Sequence, residues 1–148
     1  MKIVVYTDGG ARGNPGPAGI GVVICNEKGE VIKKYGEFLG DDMTNNEAEY
    51  GAVIFALKKL KLLLGKEKVK QAEVEIRADS ELMVNQMTGK YKLTDRRIQD
   101  FFITIWNLKI EFKSIDFKHI RREQNKEADA LVNQALDNRV KTNPNRLF

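Results

Sequence analysis

The chain has 148 residues, 42% hydrophobic and 31% charged, which suits one domain with a real core and excludes a disordered chain. Its net charge of +4 and pI of about 9.1 are mildly basic and do not by themselves assign a partner. Lys58, Lys59 and Lys61 break the longest apolar stretch, at 57–64, so no membrane span is expected. Met1-Lys2 leads directly into a strand pattern without a signal peptide, and the single Cys25 cannot form an intramolecular disulfide. The expectation is a cytoplasmic protein with Cys25 as a buried thiol.

Residues 2–8 read as a buried strand closed by Asp8, with Val4, Tyr6 and Asp8 on one face. The Gly/Pro-rich segment 11–19 reads as a loop. Strands follow at Ile20–Cys25 and Val31–Leu39, giving an antiparallel meander, and 40–43 is a connector. Thr44-Asn45-Asn46-Glu47 is a capping box that opens a long helix ending at Gly65. On this helix Glu49 heads the stripe Val53, Ala56, Leu60, the face expected to be buried. A fourth strand spans 73–79, with Val74, Ile76 and Ala78 on one face, and Asp79 closes it. Helices are expected from Ser80 to about Met87 and from Thr94 to about Leu108, the latter with Trp106 in the core. A fifth strand covers Ile110–His119, and a last helix runs from Asn125 to Asn138 with Asp129 in its first turn. The order βββαβααβα describes an α/β fold: a five-stranded mixed sheet with helices packed on it. Residues 1–138 make the domain, and 139–148 read as a tail.

Four acids therefore lie where elements begin or end: Asp8, Glu49, Asp79 and Asp129. Each has a simpler reading. Asp79 can cap the helix at Ser80, and Asp129 can complement a helix dipole. A carboxylate on a buried helix face, as at Glu49, requires a partner. If the four converge, the site is stable only with cations, and oxygen-only ligands favour Mg²⁺ or Mn²⁺. Such a chain acts on phosphate esters. Of the basic clusters, Lys58–Lys61 and Lys66–Lys70 read as solvated faces, whereas Lys90–Lys92, Arg96-Arg97 and Arg121-Arg122 are candidates for phosphate contact.

Thr7-Asp8-Gly9-Gly10, Gly13-Asn14-Pro15-Gly16-Pro17-Ala18-Gly19, Thr44-Asn45-Asn46-x-x-Glu49, Ala78-Asp79-Ser80 and Asn125-x-x-Ala128-Asp129 resemble the type 1 ribonuclease H pattern in order and spacing. The resemblance covers about residues 2–138. It implies that Asp8, Glu49, Asp79 and Asp129 are catalytic carboxylates holding two Mg²⁺ ions, with Mn²⁺ as a substitute. Asp8 would be shared by both ions, Asp129 would serve the water-activating side, and Glu49 and Asp79 the leaving-group side. The implied activity is endonucleolytic cleavage of the RNA strand of RNA/DNA hybrids, leaving 5′-phosphate and 3′-hydroxyl ends. His119, ten residues before Asp129, falls where the family carries a mobile histidine, implying a proton-shuttle or product-release role; a strand-end histidine without a catalytic part is the alternative, and Arg122 is the rival for the phosphate.

Substrate contacts implied by the resemblance are Gly9, Gly10, Arg12 and Gly13 in the loop, with Asn14, Asn45 and Asn46 in the minor groove. Thr44 would contact a DNA phosphate. Turn and capping roles account for Asn14 and for 44–46 equally well. Glu81 stands where relatives often carry glutamine. The segment Met87–Thr94 is too short for the basic, Trp-containing protrusion of some relatives, and no amino-terminal hybrid-binding module is visible. Lys90, Tyr91, Lys92, Arg96 and Arg97 would form a reduced substitute. The expectation is a compact monomer with weaker, strongly salt-dependent binding. A catalytically silent nucleic-acid-binding module on the same fold is the main rival, and a DNA-acting polynucleotidyl transferase the second.

Overall fold

The structure, a computed structural model, describes residues 1–139. Three strands, β1 (Lys2–Ala11), β2 (Gly16–Asn26) and β3 (Val31–Met43), form an antiparallel meander. Helix α1 (Asn45–Val69) leads to β4 (Glu73–Ala78), and α2 (Glu81–Met87) and α3 (Arg96–Ile110) precede β5 (Ser114–His119). A 3₁₀ turn at Arg122–Gln124 precedes the last helix, α4 (Lys126–Asn138). The sheet order is β3-β2-β1-β4-β5, with β4 parallel to both β1 and β5.

Side-chain alternation along β1 sorts the two faces. Ile3 and Val5 join Ile20, Val22 and Ile24 beneath α1, where Tyr50, Val53, Leu57 and Leu60 are fully buried. Each such side chain contributes about 1.5–3 kcal/mol of transfer free energy. Val4, Val23 and Cys25 point the other way, toward Ala128 of α4. Cys25 is buried, as the apolar run around it implies.

α4 lies on the sheet backbone itself, because glycines there leave out the Cβ. A Cβ at Gly21 would stand 2.0 Å from the Ala128 carbonyl oxygen, and one at Gly36 2.8 Å from that of Leu131. Gly9 does the same for α1 on the opposite face: its Cβ would be 2.3 Å from the Ala48 carbonyl. These contacts decide where the first turns of both helices sit.

Several boundaries differ from the sequence reading. β1 continues past Asp8 to Ala11, and β2 begins at Gly16, so the expected 11–19 loop shrinks to residues 12–15. The hairpin partner supplies the hydrogen bonds that carry these Gly-rich ends as strand. The expected 40–43 connector is likewise the end of β3, paired to β2. Gly65 does break α1, at φ 81° and ψ 167°, with a further helical stretch beyond it. β5 starts at Ser114 because α3 runs on to Ile110 and a turn follows. Trp106 is not in the core: it is 54% exposed and stacks on Phe102 at 6.2 Å. Ile98, Ile105 and Leu108 occupy the inward side of α3, and Trp106 lies one residue out of that stripe. Arg139, the first residue of the expected tail, is tied down through Asp41 at 3.3 Å and the Phe38 ring. The rest of that tail, 140–148, lies outside the described residues.

Among the described residues no helix is long and apolar enough to cross a membrane.

Candidate metal and nucleic-acid site

Thr7 and Ala78 form the last parallel pair between β1 and β4, so Asp8 and Asp79 are the next residues on neighbouring strands. Their side chains emerge together at the carboxyl end of the parallel pair, where sites form in open sheets. Glu49 arrives from α1. The capping box is formed as the sequence implies: Thr44 Oγ1 accepts from Glu47 N at 3.1 Å, and Glu47 Oε1 accepts from Thr44 N at 2.9 Å. With the first turn seated on Gly9, the Gly9 N–H donates to Glu49 Oε1 at 2.9 Å. Asp129 arrives from the other face. Asp8 pairs with Gly21 in the sheet, Ala128 rests on Gly21, and Asp129 is the next residue.

Carboxylate oxygens of Asp8, Glu49 and Asp79 lie within 4.8 Å of one another. Asp8 and Glu49 are buried, Asp79 is partly so, and Asp129 is exposed. Burial pushes the Asp8 carboxyl up to about 7; a hydrogen bond accepted from Glu49 opposes the rise, and the charges of Asp79 and Asp129 and a hydrogen bond that protonated Asp8 donates to Asp129 add to it. Burial likewise holds Glu49 well above the usual carboxylate range, with Asp8 beside it. The pair thus retains a proton that an isolated pair would lose.

Glu49 Oε2 is buried without a hydrogen-bond partner. An orphaned carboxylate oxygen beside two further carboxylates fits a hard divalent cation. The alternative reading of Asp79 as a helix cap fails: Ser80 caps α2, its Oγ accepting from Met83 N at 3.2 Å.

The acids floor a cleft of about 580 Å³. Gly9, Gly10, Arg12, Asn14, Thr44, Asn45, Asn46 and Arg122 also line it, as do all four acids; Gly13 and His119 do not. Asn14 and Asn45 knit the loop to the helix start, with Asn45 N–H donating to Asn14 Oδ1 at 3.0 Å and Ala11 N–H to Asn45 Oδ1 at 2.8 Å. Asn46 Oδ1 is buried and unpartnered. Arg12 pairs with Asp137 of α4 at 2.7 Å. His119 ends β5 opposite Ala78 and is exposed.

Sequence reasoning passed over Leu82, Val132, Asn133 and Leu136 in the cleft wall, and it took Ser80 there and Asn125 behind it only as helix starts and parts of the family pattern. The helical stripe Val132, Leu136 signals burial, which hides that its upper edge borders the cleft. Asn125 gives the clearest missed signal, a polar residue at 1% exposure.

With this geometry established, comparison with known proteins is direct. A reverse transcriptase-like family profile matches residues 6–135. The chain is 48% identical to LC11-RNase H1, isolated from compost by a metagenomic approach, covering 94% of this chain and 98% of that one at a TM-score of 0.87. The same protein in complex with an RNA/DNA hybrid matches at 47% identity, over 93% of this chain and 99% of that one, with a TM-score of 0.87. Ribonuclease HI of Halobacterium salinarum is 35% identical over 136 residues, 92% of this chain and 65% of its own length. A bifunctional protein of Mycobacterium tuberculosis is 34% identical over 138 residues, 93% of this chain and 36% of its own length. The chain thus spans about two thirds or less of these two curated relatives. It belongs to the ribonuclease H family.

Proposed function

We propose that this protein is a metal-dependent endonuclease that hydrolyses the RNA strand of RNA/DNA hybrids. The observation that carries the reading is the set of Asp8, Glu49 and Asp79 oxygens within 4.8 Å, beneath a cleft edged by the glycine strand end and three asparagines. The compost relative solved with an RNA/DNA hybrid supports the substrate class. A silent binding module accounts less well for the site, since a polyanion binder gains nothing from a buried acidic floor.

Asp8, Glu49, Asp79 and Asp129 would hold two Mg²⁺ ions, with Asp8 shared between them, Asp129 serving one and Glu49 and Asp79 the other. When bound, the ions neutralise charge at the scissile phosphate and lower the pKa of the attacking water. The protein side of the reaction is placement and proton control. Gly9 N–H fixes one Glu49 oxygen and leaves the other unpartnered, where it would be available to hold a cation. Asp8 and Glu49, on which burial holds a proton, would have to release it for the ions to be held. Water attacks phosphorus, the bond to the 3′ oxygen breaks, and the products carry a 5′-phosphate and a 3′-hydroxyl. Arg122, exposed at the rim, is suited to a phosphate oxygen; His119, exposed and outside the cleft lining, would act only as an assisting group in proton transfer or product release.

Selection of RNA requires sensing of the 2′-OH. Gly10, where a Cβ would meet only Val132 at 3.7 Å, leaves the strand end open to the sugar, and Asn14, Asn45 and Asn46 present amides on a preorganised loop–helix junction. Thr44 and Arg12 complete the rim. The segment between α2 and α3 is only residues 88–95, so substrate grip rests on Lys90, Lys92 and Arg96, with marked salt dependence. The protein would work as a monomer in the cytoplasm.

The test is cleavage of an end-labelled RNA/DNA hybrid in Mg²⁺, with EDTA and DNA/DNA controls. Metal-dependent cutting of the RNA strand alone is the expected result. No cutting in either Mg²⁺ or Mn²⁺ would leave the silent binding module as the better account.

A further inference from the structure

We propose that Asn125 is a positioning residue, holding Asp79 and the end of β1 in register with α4 so that the acids meet a metal ion as a set. The inference rests on the two-metal reading above and deepens it.

Asn125 occupies the N-cap position of α4, where an asparagine ordinarily spends its side chain on the helix's own free N–H groups. Here it makes no such bond. Its Nδ2 donates instead to the Thr7 carbonyl oxygen at 2.8 Å, and it faces Asp79 Oδ2 at 3.5 Å. Both neighbours are acceptors, so the amide orientation follows from chemistry. Its own backbone carbonyl accepts from Asp129 N at 3.1 Å. One residue therefore touches the strand carrying Asp8, the carboxylate of Asp79 and the backbone of Asp129.

This arrangement lowers stability. Asn125 is 1% exposed, and its Oδ1 has no partner. A buried unsatisfied acceptor costs about 1–3 kcal/mol, and the unused cap about another 1 kcal/mol. A residue selected for stability alone would cap the helix. The direction of the amide toward Asp79 is what a second set of partners around a metal ligand requires: it fixes the ligand's rotamer and leaves its other oxygen free.

The test uses calorimetric titration of Mn²⁺ into the full-length protein without nucleic acid, for wild type, N125A and N125D. N125A deletes the donor, and N125D keeps the shape while turning the donor into an acceptor. Both are expected to bind Mn²⁺ roughly 10- to 100-fold more weakly, the range for removal of a ligand's hydrogen-bond partner. On a hybrid substrate, the metal concentration for half-maximal rate should rise in parallel, with KM for the hybrid unchanged. A purely structural role would lower Tm and leave Mn²⁺ affinity at its wild-type value below the transition, and that result in a folded variant would overturn the proposal. Wild-type protein that binds no Mn²⁺ would instead overturn the metal reading itself.

Discussion

Two helix starts deliver acids to the same place by opposite means. The first turn of α1 is tied down by side chains: a capping box, an ion pair from Arg97 to the buried Glu47 at 3.1 Å, and the Gly9 bond to Glu49, with Asn46 Oδ1 and Glu49 Oε2 left unpartnered toward the cleft. The first turn of α4 has no side-chain cap, and Asp129 is exposed. Both turns sit on a glycine of the sheet, Gly9 for α1 and Gly21 for α4, so their positions are set by backbone contact. The difference teaches how the site divides its work. Glu49 is a fixed floor carboxylate on which burial holds a proton, whereas Asp129 lies exposed at the rim and accessible to water.

The largest effect is expected at Asp8, which touches both groups. Asp8→Asn should reduce hybrid cleavage by roughly 10³-fold or more, the several kcal/mol that a positioned ion supplies to the transition state. The metal-free variant should have a higher Tm than wild type at pH 8, because one of the clustered charges is gone. Near-normal turnover would remove the metal assignment.

Next come the glycines. Gly9→Ala places a methyl 2.3 Å from the Ala48 carbonyl, and Gly21→Ala one 2.0 Å from that of Ala128. Neither backbone can yield without moving a helix start, so each should cost about 1–3 kcal/mol of stability and about 10²-fold in rate. If the comparison is right, Gly9→Ala also weakens Mn²⁺ binding through Glu49, while Gly21→Ala acts through Asp129. Circular dichroism and calorimetry on both variants separate these outcomes.

The pH dependence sharpens it further. Asp8 titrates near 7 when folded and near 3.8 when not, so between those values the folded protein holds more protons. The metal-free protein therefore loses stability as pH rises from about 4 to about 7, and the loss is complete above 7. Since Asp8→Asn removes this contribution, the Tm advantage of that variant should be absent near pH 4 and grow to a plateau above pH 7. A constant difference across the range would contradict the buried, proton-retaining floor.

The smallest effect is expected at the rim. His119→Ala should slow turnover by less than about 10-fold, below the roughly 10²–10⁴-fold of a positioned acid or base, because His119 does not line the cleft. An unchanged rate would assign His119 to the strand end alone.

Much of this was legible in the sequence, for physical reasons. Asp8 and Asp79 were readable because hydrophobic alternation ends at them, and Glu49 because a carboxylate on the stripe of Val53, Ala56 and Leu60 needs a partner. The capping box at Thr44 follows from local chemistry alone. What failed depended on contacts distant in the chain. The strand character of 9–11 and 40–43 comes from pairing with β2, which outweighs their Gly-rich composition. Trp106 is apolar and on a helix, but one residue off the inward stripe, and its exposure is set by where α3 rolls against α1. Asn125 looked like a helix opener, and only the arrival of Thr7 and Asp79 beside it redirects its amide.

The most direct test of the central claim is the proton count on metal binding. Mn²⁺ is titrated into the protein near pH 6.5 in two buffers of different ionisation enthalpy, for wild type and Asp8→Asn. The Asp8–Glu49 floor predicts that wild type binds with proton release, and that Asp8→Asn loses most of the binding and the release with it. Metal binding without proton release, or binding of equal strength in the variant, would contradict the account.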